Sequence, residues 1–497
     1  MARHDKLDAI FVSAPFFPAY GPSYAIEYLA ALCGINDLSV ECAHLHHDFG
    51  VDLLSRELLE LYDGLKSIRY LGDFLVLARW SPSEAGAILQ EMKTTVPQAP
   101  ALTLEHLHQF FAAWNTCMDA FVADILRKRP RVVAFSATHY QLVASLWLAE
   151  RIKTEAPDIK IVLGGYLGSL ETCQDLLDRH ASLDTIVFGE GDEVISQIIQ
   201  SYKADDPVDR IIRGGRTKVL KARPDYSAYL QATAVTETDK SLTSVSYELS
   251  RGCYWDKCDF CNFNVAYGRF RRFESQDVLT QMEEISDQYG IKRFHLLDTS
   301  LPPAFAKQCN GRGDADWDIF VEIMADWSAN MLSALRSFGV RRAQVGIESF
   351  SDDQLASMNK GMTVADNVAA LTACQQADVS PVYGLLIGRP GDTAAHYEEN
   401  LKFAEGNAHL PPPRYISECD IRPGSPLFRD RERLGISISF QGSAFERVLP
   451  KADHNCELRP SKVTVQSLQT PEIKKQRRLL EIAVNDWRDQ HMRMAAE

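Results

Sequence analysis

The run Arg251-Gly252-Cys253-Tyr254-Trp255-Asp256-Lys257-Cys258-Asp259-Phe260-Cys261 places three cysteines within nine residues, spaced x4 and then x2. Three thiolates this close can hold three irons of a 4Fe–4S cluster and leave the fourth iron open to an outside ligand. Such a cluster suits chemistry better than simple electron relay. Only the deprotonated sulfur binds iron. Zinc is the competing metal, but structural zinc sites are closed by four ligands, commonly four cysteines or three and a histidine. No fourth Cys or His lies nearby, the closest being His295. The other eight of the 11 cysteines, Cys33, Cys42, Cys117, Cys173, Cys309, Cys374, Cys419 and Cys456, are scattered along the chain. In a reducing compartment they read as small buried hydrophobes, and an odd total is no disulfide framework.

The elements that must position this loop follow an alternating pattern. In the second half of the chain, strands are predicted over 245–249, 293–297, 319–324, 342–347, 382–387 and 414–421. Helices are predicted over 275–289, 331–338 (stopping at Gly339), 364–377 and 393–405. The 319–324 piece is compatible with a helix by composition. It is read as a strand because 302–316 can serve as an irregular crossover. Six βα units are fewer than the eight of a closed barrel, so a partial, open barrel is expected. The cysteines then sit on the loop at the C-terminal end of its first strand, the face where βα barrels keep their chemistry.

The first half alternates as well. Strands at 9–14, 39–44, 132–136, 160–163 and 184–188 are separated by helical patterns, with a long, mostly helical interruption over 50–125. This predicts a Rossmann-like α/β unit with a parallel sheet covered on both faces. Gly164-Gly165 and Gly189-Glu190-Gly191 fall at strand ends, where open α/β sheets bind ligands and where glycine permits tight turns. Residues 205–240 are polar and aperiodic. The expected organisation is therefore a Rossmann-like domain over 1–205, a linker over 206–240, a partial barrel over 241–430, and a mainly helical extension over 431–497. The extension includes a terminal helix over 471–493.

Composition narrows the function. A 45% apolar and 24% charged chain of 497 residues reads as a soluble protein of two or three domains. No run of about 18 apolar residues is present to span a bilayer, and no signal-peptide pattern opens the chain, so a cytoplasmic location is expected. The net charge of −14 argues against a general nucleic-acid binder. The basic cluster Lys474-Lys475-Gln476-Arg477-Arg478 reads as a solvated helix face, and the His44, His46, His47 triplet as polar surface rather than a metal site.

Cys258, Phe260 and Cys261, after Cys253 on the first barrel loop, resemble the radical S-adenosylmethionine (SAM) superfamily, in which x3 is the usual first spacing. Val345-Gly346-Ile347-Glu348-Ser349, Met358-Asn359-Lys360-Gly361 and Ile387-Gly388-Arg389-Pro390-Gly391-Asp392-Thr393 resemble its later strands and turns. Ala134-Phe135-Ser136, Val162-Leu163-Gly164-Gly165 and the stretch from Val187 to Glu193 resemble the N-terminal cobalamin-binding domain of some members. Tyr267-Gly268-Arg269-Phe270-Arg271 and residues 319–347 are similar to members that mature ribosomally made peptides. The resemblance covers residues 7–430. It implies cluster ligands Cys253, Cys258 and Cys261, and SAM contacts at Phe260, Asp298, Ser300, Glu348, Gly388 and Gly391. On the cobalamin side it implies Ser136, Thr138, Gly164, Gly165, Gly189 and Glu190. Glu322 and Arg422 are the implied substrate contacts. The Asp-x-His-x-x-Gly cobalamin-ligand motif is absent, so cobalamin is expected without a protein histidine below the cobalt.

The resemblance implies a cobalamin-dependent enzyme that cleaves SAM to a 5′-deoxyadenosyl radical and methylates carbon in a peptide or small natural-product intermediate. A flavodoxin- or ferredoxin-type reductant would supply the electron. The alternatives are a non-methylating maturase that rearranges, cyclises or cross-links its substrate, and, from another class, an iron–sulfur electron-transfer or sensing protein.

Overall fold

A computed structural model describes residues 7–17, 21–49, 54–55, 68–96, 102–218, 222–233, 243–263, 265, 268–273, 276–309, 311–314 and 316–496. Parts of the 50–125 stretch and of the 206–240 stretch, together with Tyr267 and Ser275, lie outside these residues. The chain divides into two units. The first comprises 1–243 with 439–462, and the second 244–438 with 463–497.

In the first unit, β1 (Ala9–Ser13), β2 (Val40–His44), β3 (Val132–Ala137), β4 (Lys160–Gly165), β5 (Thr185–Phe188) and β6 (Ile211–Arg213) form one sheet in the order β2-β1-β3-β4-β5-β6. Every pairing in it is parallel. The strands read as nearly continuous apolar runs because both faces are covered, as in parallel sheets generally. Ile10, Val12, Val133, Phe135, Ile161 and Leu163 enter the core on one side. Ala9, Phe11, Val132, Ala134 and Val162 enter the core on the other. The expected linker is partly structured: Ile211–Arg213 is the edge strand, paired with β5, and Ser227–Thr233 is helical. The described part of the long interruption includes the helices Leu71–Trp80, Ala85–Thr95 and Leu104–Lys128.

In the second unit, β7 (Ser244–Tyr247), β10 (Arg293–Leu296), β11 (Asp318–Ile323), β12 (Val340–Val345) and β13 (Ser380–Val382) make a parallel sheet. The two-residue strands β8 (Ser250–Arg251) and β9 (Arg271–Arg272) form a small ladder of their own. After Tyr383 the chain continues as β14 (Gly384–Ile387), which pairs in parallel with β15 (Tyr415–Glu418). Counting β13 and β14 as one interrupted strand gives six successive parallel strands, a partial barrel with an open edge at β15. Residues 319–323 are indeed a strand. Their alternation buries Ile319, Val321 and Ile323 and leaves Phe320 and Glu322 half-buried on the other face.

The C-terminal segment ends in the helix Pro471–Ala496, whose Trp487 packs beside the stacked rings of Phe350 and Phe403. It also holds two strands, β16 (Ile436–Phe440) and β17 (Ser461–Val465), which pair with each other. Between them the chain returns to the first unit. There Phe445 packs edge-on against Phe74 and Tyr70, and Asn455 accepts from Thr172. His454 Nε2 lies 2.7 Å from Asp175. Arg459, fully buried, donates to the carbonyls of Leu449 and Gly442.

Candidate active site

The three-cysteine loop leaves the end of β7 and is fastened on every side. Arg251 meets both carboxylate oxygens of Glu248 at 2.9 Å, buried just before the first cysteine. Tyr254 donates its hydroxyl to Asp326 at 2.9 Å, and the Trp255 indole N–H reaches the Asn359 carbonyl at 2.6 Å. The Asp259 N–H donates to the Met358 carbonyl, and the Asp259 carbonyl accepts from Leu427 N–H, each at 3.1 Å. The Asp259 carboxylate is paired with Arg389, whose Nη1 also bonds Ser357 Oγ at 3.1 Å. Asn262 closes the loop on the Pro423 carbonyl. These partners come from the connections that follow β11, β12, β14 and β15, so the loop is seated by most of the barrel.

The x4 spacing has a local explanation. Gly252 (φ +80°) and Asp256 (φ +53°) are both left-handed, so the chain doubles back within the extra residue. Trp255 then lies across Gly361, where any Cβ would overlap its ring. The indole thus needs glycine at that position.

None of the three cysteines is in a disulfide, and all are half-buried. Burial pushes the Cys258 thiol up to about 12 and raises Cys261, while the Lys360 ammonium opposes both shifts. Cys258 and Cys261 each also feel the charge of Cys253. Among the described residues no three His, Cys, Asp or Glu converge on a point that could hold a single metal ion. A 4Fe–4S cluster asks for something else, namely one thiolate at each of three separate irons. Three thiols on one braced loop beside a buried cation fit that donor set.

Glu348 follows β12 with a left-handed backbone (φ +65°), a strained state for a glutamate. It is held there by the backbone bond from Leu386 N–H to its carbonyl. Its Oε1 accepts from Lys360 Nζ at 3.0 Å, and Lys360 is 4% exposed. A Cβ on Gly346 would stand 2.7 Å from that ammonium, so the Gly-Ile-Glu-Ser sequence makes room for the lysine. Lys360 stands in the Met358-Asn359-Lys360-Gly361 motif, which by itself gives it no role. Its place, twelve residues after Glu348 and before a glycine, was the available signal.

The remaining predicted SAM contacts divide. Asp298 is fully buried, with one oxygen accepting from Ser250 Oγ and the other from Leu249 N–H at 3.2 Å. Burial raises it to about 7. Both oxygens are engaged within the fold, at the start of the cluster loop. Ser300 is also fully buried. Phe260 packs at the edge of the apolar cluster of Ile421, Leu427, Ile436 and Val465. Gly388 (φ +76°) and Gly391 (φ +92°) form the turn that carries Arg389, with Gly388 N–H donating to the Tyr397 hydroxyl.

Glu322 lies on the half-buried face of β11, and burial alone raises it to about 7. Beside it in register is Gln344 of β12, and Tyr415 feels the charges of both Glu348 and Glu322. Tyr415, which sequence reasoning missed, rests its ring against Gly384, where a side chain would collide with it. Arg422 lies over the Phe263 ring and lowers the Cys261 thiol, so it is next to the cluster loop.

In the first unit, Ser136, Gly164, Gly165 and Gly189 line one narrow, largely apolar groove together with Phe11 and Ile26. It runs along the carboxyl ends of β3, β4 and β5. The strand order reverses between β1 and β3, the switch point at which such sheets bind ligands. A Cβ on Gly165 (φ +102°) would overlap the Ala137 carbonyl, so only glycine lets β3 and β4 close up there. A slender apolar slot edged by glycines fits a nucleotide tail. Two expected members do not line it: Thr138 bonds Gln141 through its amide and its hydroxyl, and Glu190 accepts from Thr217 N–H.

The histidine triplet is a further correction, because all three are buried. Nε2 of His44 donates to Glu27 Oε1 at 2.7 Å while its Nδ1 accepts from Ser23 N–H. His46 donates to the Gly21 carbonyl, and His47 meets the Tyr229 hydroxyl. Their polar partners come from distant parts of the chain and make burial tolerable.

Comparison with known proteins finds a family match within each unit. Residues 247–404 match the model of the Radical SAM superfamily and residues 106–199 that of the B12 binding domain. The chain is 24% identical over 320 residues to the anaerobic magnesium-protoporphyrin IX monomethyl ester cyclase of Cereibacter sphaeroides, covering 57% of this chain and 50% of that protein. It is 24% identical over 319 residues to the bacteriochlorophyllide d C-12(1)-methyltransferase of Chlorobaculum tepidum, covering 60% of this chain and 65% of that one. The chain thus spans half to two-thirds of the length of these relatives. Its fold is shared with the radical SAM methyltransferase TsrM from Kitasatospora setae (TM-score 0.61, 12% identity, 97% of this chain and 89% of that one). It is also shared with the cobalamin-dependent SAM radical enzyme OxsB (TM-score 0.56, 16% identity, 86% and 55%). A B12 binding domain and a radical SAM domain thus stand in one chain, and together they imply a 4Fe–4S cluster, SAM and cobalamin.

Proposed function

We propose that this chain is a C-methyltransferase acting on a small molecule or a peptide. The observation that supports the reading best is the presence, in one chain, of a braced three-thiol loop on a barrel and a glycine-edged groove at the carboxyl ends of parallel strands. When bound, the cluster and SAM supply a carbon-centred radical and cobalamin supplies a methyl group, while the protein positions the reacting atoms.

In this reading Cys253, Cys258 and Cys261 hold three irons. Lys360 and Glu348, side by side, match the two charges of an amino acid: the ammonium of Lys360 suits the SAM carboxylate, and the Glu348 oxygens suit its amino group or ribose hydroxyls. The strained Glu348 backbone keeps that carboxylate aimed. Gly388 and Gly391 leave the chain flat enough to pass an adenine. Glu322, uncharged over much of the acid-to-neutral range, can donate as well as accept a hydrogen bond to substrate, with Tyr415 beside it. Arg422 contributes a charge at the rim. Ser136, Gly164, Gly165 and Gly189 take the nucleotide tail of cobalamin. The electron comes from a flavodoxin- or ferredoxin-type donor, in keeping with a cytoplasmic location. No helix among the described residues is long and apolar enough to cross a membrane.

The test is the absorption spectrum of anaerobically prepared protein, followed by product mass with a reducing system and candidate substrates. Cluster and cobalamin bands together, a SAM-dependent spectral change, and a product heavier by one CH2 would support methyl transfer. A product lighter by two hydrogens would refute it and favour the second reading, an oxidative cyclisation or cross-link. The cyclases among the relatives keep that alternative in play.

A further inference from the structure

An open pocket of about 460 Å³ lies along β15 and the terminal helix, lined by Ile387, Arg414, Tyr415, Glu418, Arg477 and Arg488 among others. Its charges are unevenly matched. Both carboxylates in its lining, Glu418 and Glu481, are engaged by Arg477. Arg488 is held without any carboxylate: its Nε donates to the Pro413 carbonyl at 2.8 Å and its Nη1 to Asn485 Oδ1 at 2.9 Å. The Arg414 guanidinium has no hydrogen-bond or ion-pair partner among the described residues, although Arg488 is close enough to feel its charge. Two guanidinium groups facing one opening, one prepositioned and one free, present parallel N–H donors of the kind that grip carboxylates and phosphates.

The pocket also borders the chemistry. Tyr415 lines it and is the same residue that feels the charges of Glu322 and Glu348. Among the described residues β15 pairs with β14 alone, which makes this the open edge of the barrel.

We propose that Arg414 and Arg488 form an anchoring subsite for an anionic group, carboxylate or phosphate, on the substrate. The substrate enters past Tyr415 at the open edge, its anion stays outside on the arginines, and the carbon to be modified extends inward toward Glu322. This deepens the functional reading above and rests on it for the inner half. The same arrangement gives the basic cluster at 474–478 a partial purpose: Arg477 neutralises the two glutamates that would otherwise repel the anion.

The test is calorimetry on the cluster-loaded full chain under anaerobic conditions, titrating inorganic phosphate and, separately, glutarate. At least one should bind saturably at one site. Arg414→Gln should weaken that binding about tenfold or more, the loss expected for one charge-assisted hydrogen bond. Arg488→Gln should weaken it likewise, and the exposed Arg414 variant guards against a loss that merely reports misfolding at Arg488. In both variants the cluster's spectral response to SAM should be unchanged. Preference for phosphate would identify a phosphorylated substrate, and preference for glutarate a carboxylate-bearing one. Failure of both anions to saturate, or equal affinity in wild type and Arg414→Gln, would overturn the subsite. Intact anion binding with no SAM response in any variant would instead sink the radical SAM reading and leave the anion site standing.

Discussion

The Asp259–Arg389 pair offers the sharpest test of how the cluster loop is held. Replacing Arg389 with Met keeps its bulk and removes its charge. Asp259 would then be left as a nearly buried carboxylate without its cation, and Ser357 would lose the donor to its hydroxyl and its carbonyl. Deleting one partner of a buried ion pair costs about 3–5 kcal/mol. With a urea slope of roughly 2–3 kcal/mol per molar, the unfolding midpoint of the full chain should fall by about 1–2.5 M. Because the lost bond holds the residue after Cys258, iron retention should fall further than folding alone requires. The assay pairs a urea titration with iron and sulfide analysis after anaerobic reconstitution, done on protein still folded by far-ultraviolet circular dichroism. Arg389→Lys should recover only part of both, since an ammonium cannot reproduce the fork that bridges Asp259 and Ser357. A variant Arg389→Met that unfolds within about 0.5 kcal/mol of wild type and keeps its full iron complement would refute the bracing argument.

Other outcomes follow from the same geometry. Gly361→Ala should lower iron content with little change in far-ultraviolet spectrum, because a methyl there displaces Trp255 from the x4 loop; unchanged iron would show that the indole is not needed. Gly165→Ala should destabilise the first unit by more than about 2 kcal/mol, given both a left-handed backbone and overlap with the Ala137 carbonyl, and should weaken cobalamin uptake. Wild-type retention by dialysis would contradict this. Glu322 titrates near 7 in the fold and near 4.5 when unfolded. As pH rises from 4.5 to 7 the unfolded chain ionises first, so stability is lost across that window, by up to about 3 kcal/mol. Glu322→Gln should flatten that part of the stability profile relative to wild type, and superimposable profiles would remove Glu322 from the buried set.

The alternating sheet and barrel were readable because their strands and helices are long enough to show a period, with glycine or proline between them. The strand at 318–323 was readable by weighing a crossover against a helix and by the family resemblance, and in the fold every second residue, Ile319, Val321 and Ile323, is buried. Elements with no period were not readable. Ile211–Arg213 is a three-residue strand in a polar stretch, and the 443–459 segment sends Phe445, Val448, Leu449 and Leu458 into the first unit's core without a helical or strand period to announce it. At the sites, the residue types that announce themselves, clustered thiols and strand-end glycines, stood where expected. Those that depend on a partner far along the chain did not. Lys360 needs the space beside Gly346, Asp298 turns back to Ser250, and the histidine triplet is buried because Glu27, Gly21 and Tyr229 receive it.

The fastening of the cluster loop has a consequence for the order in which this protein can be made. Cys253 emerges early in the barrel, but Asp259 is bonded to a residue 130 positions later, and its carbonyl waits for Leu427. A nascent chain that has exposed all three cysteines still lacks most of the seat that holds them. Contacts of such long sequence separation also form slowly. Iron delivered during synthesis would meet three loose thiols able to bind it in any geometry or to oxidise. Productive cluster insertion therefore belongs after Arg389 and Leu427 have joined the barrel.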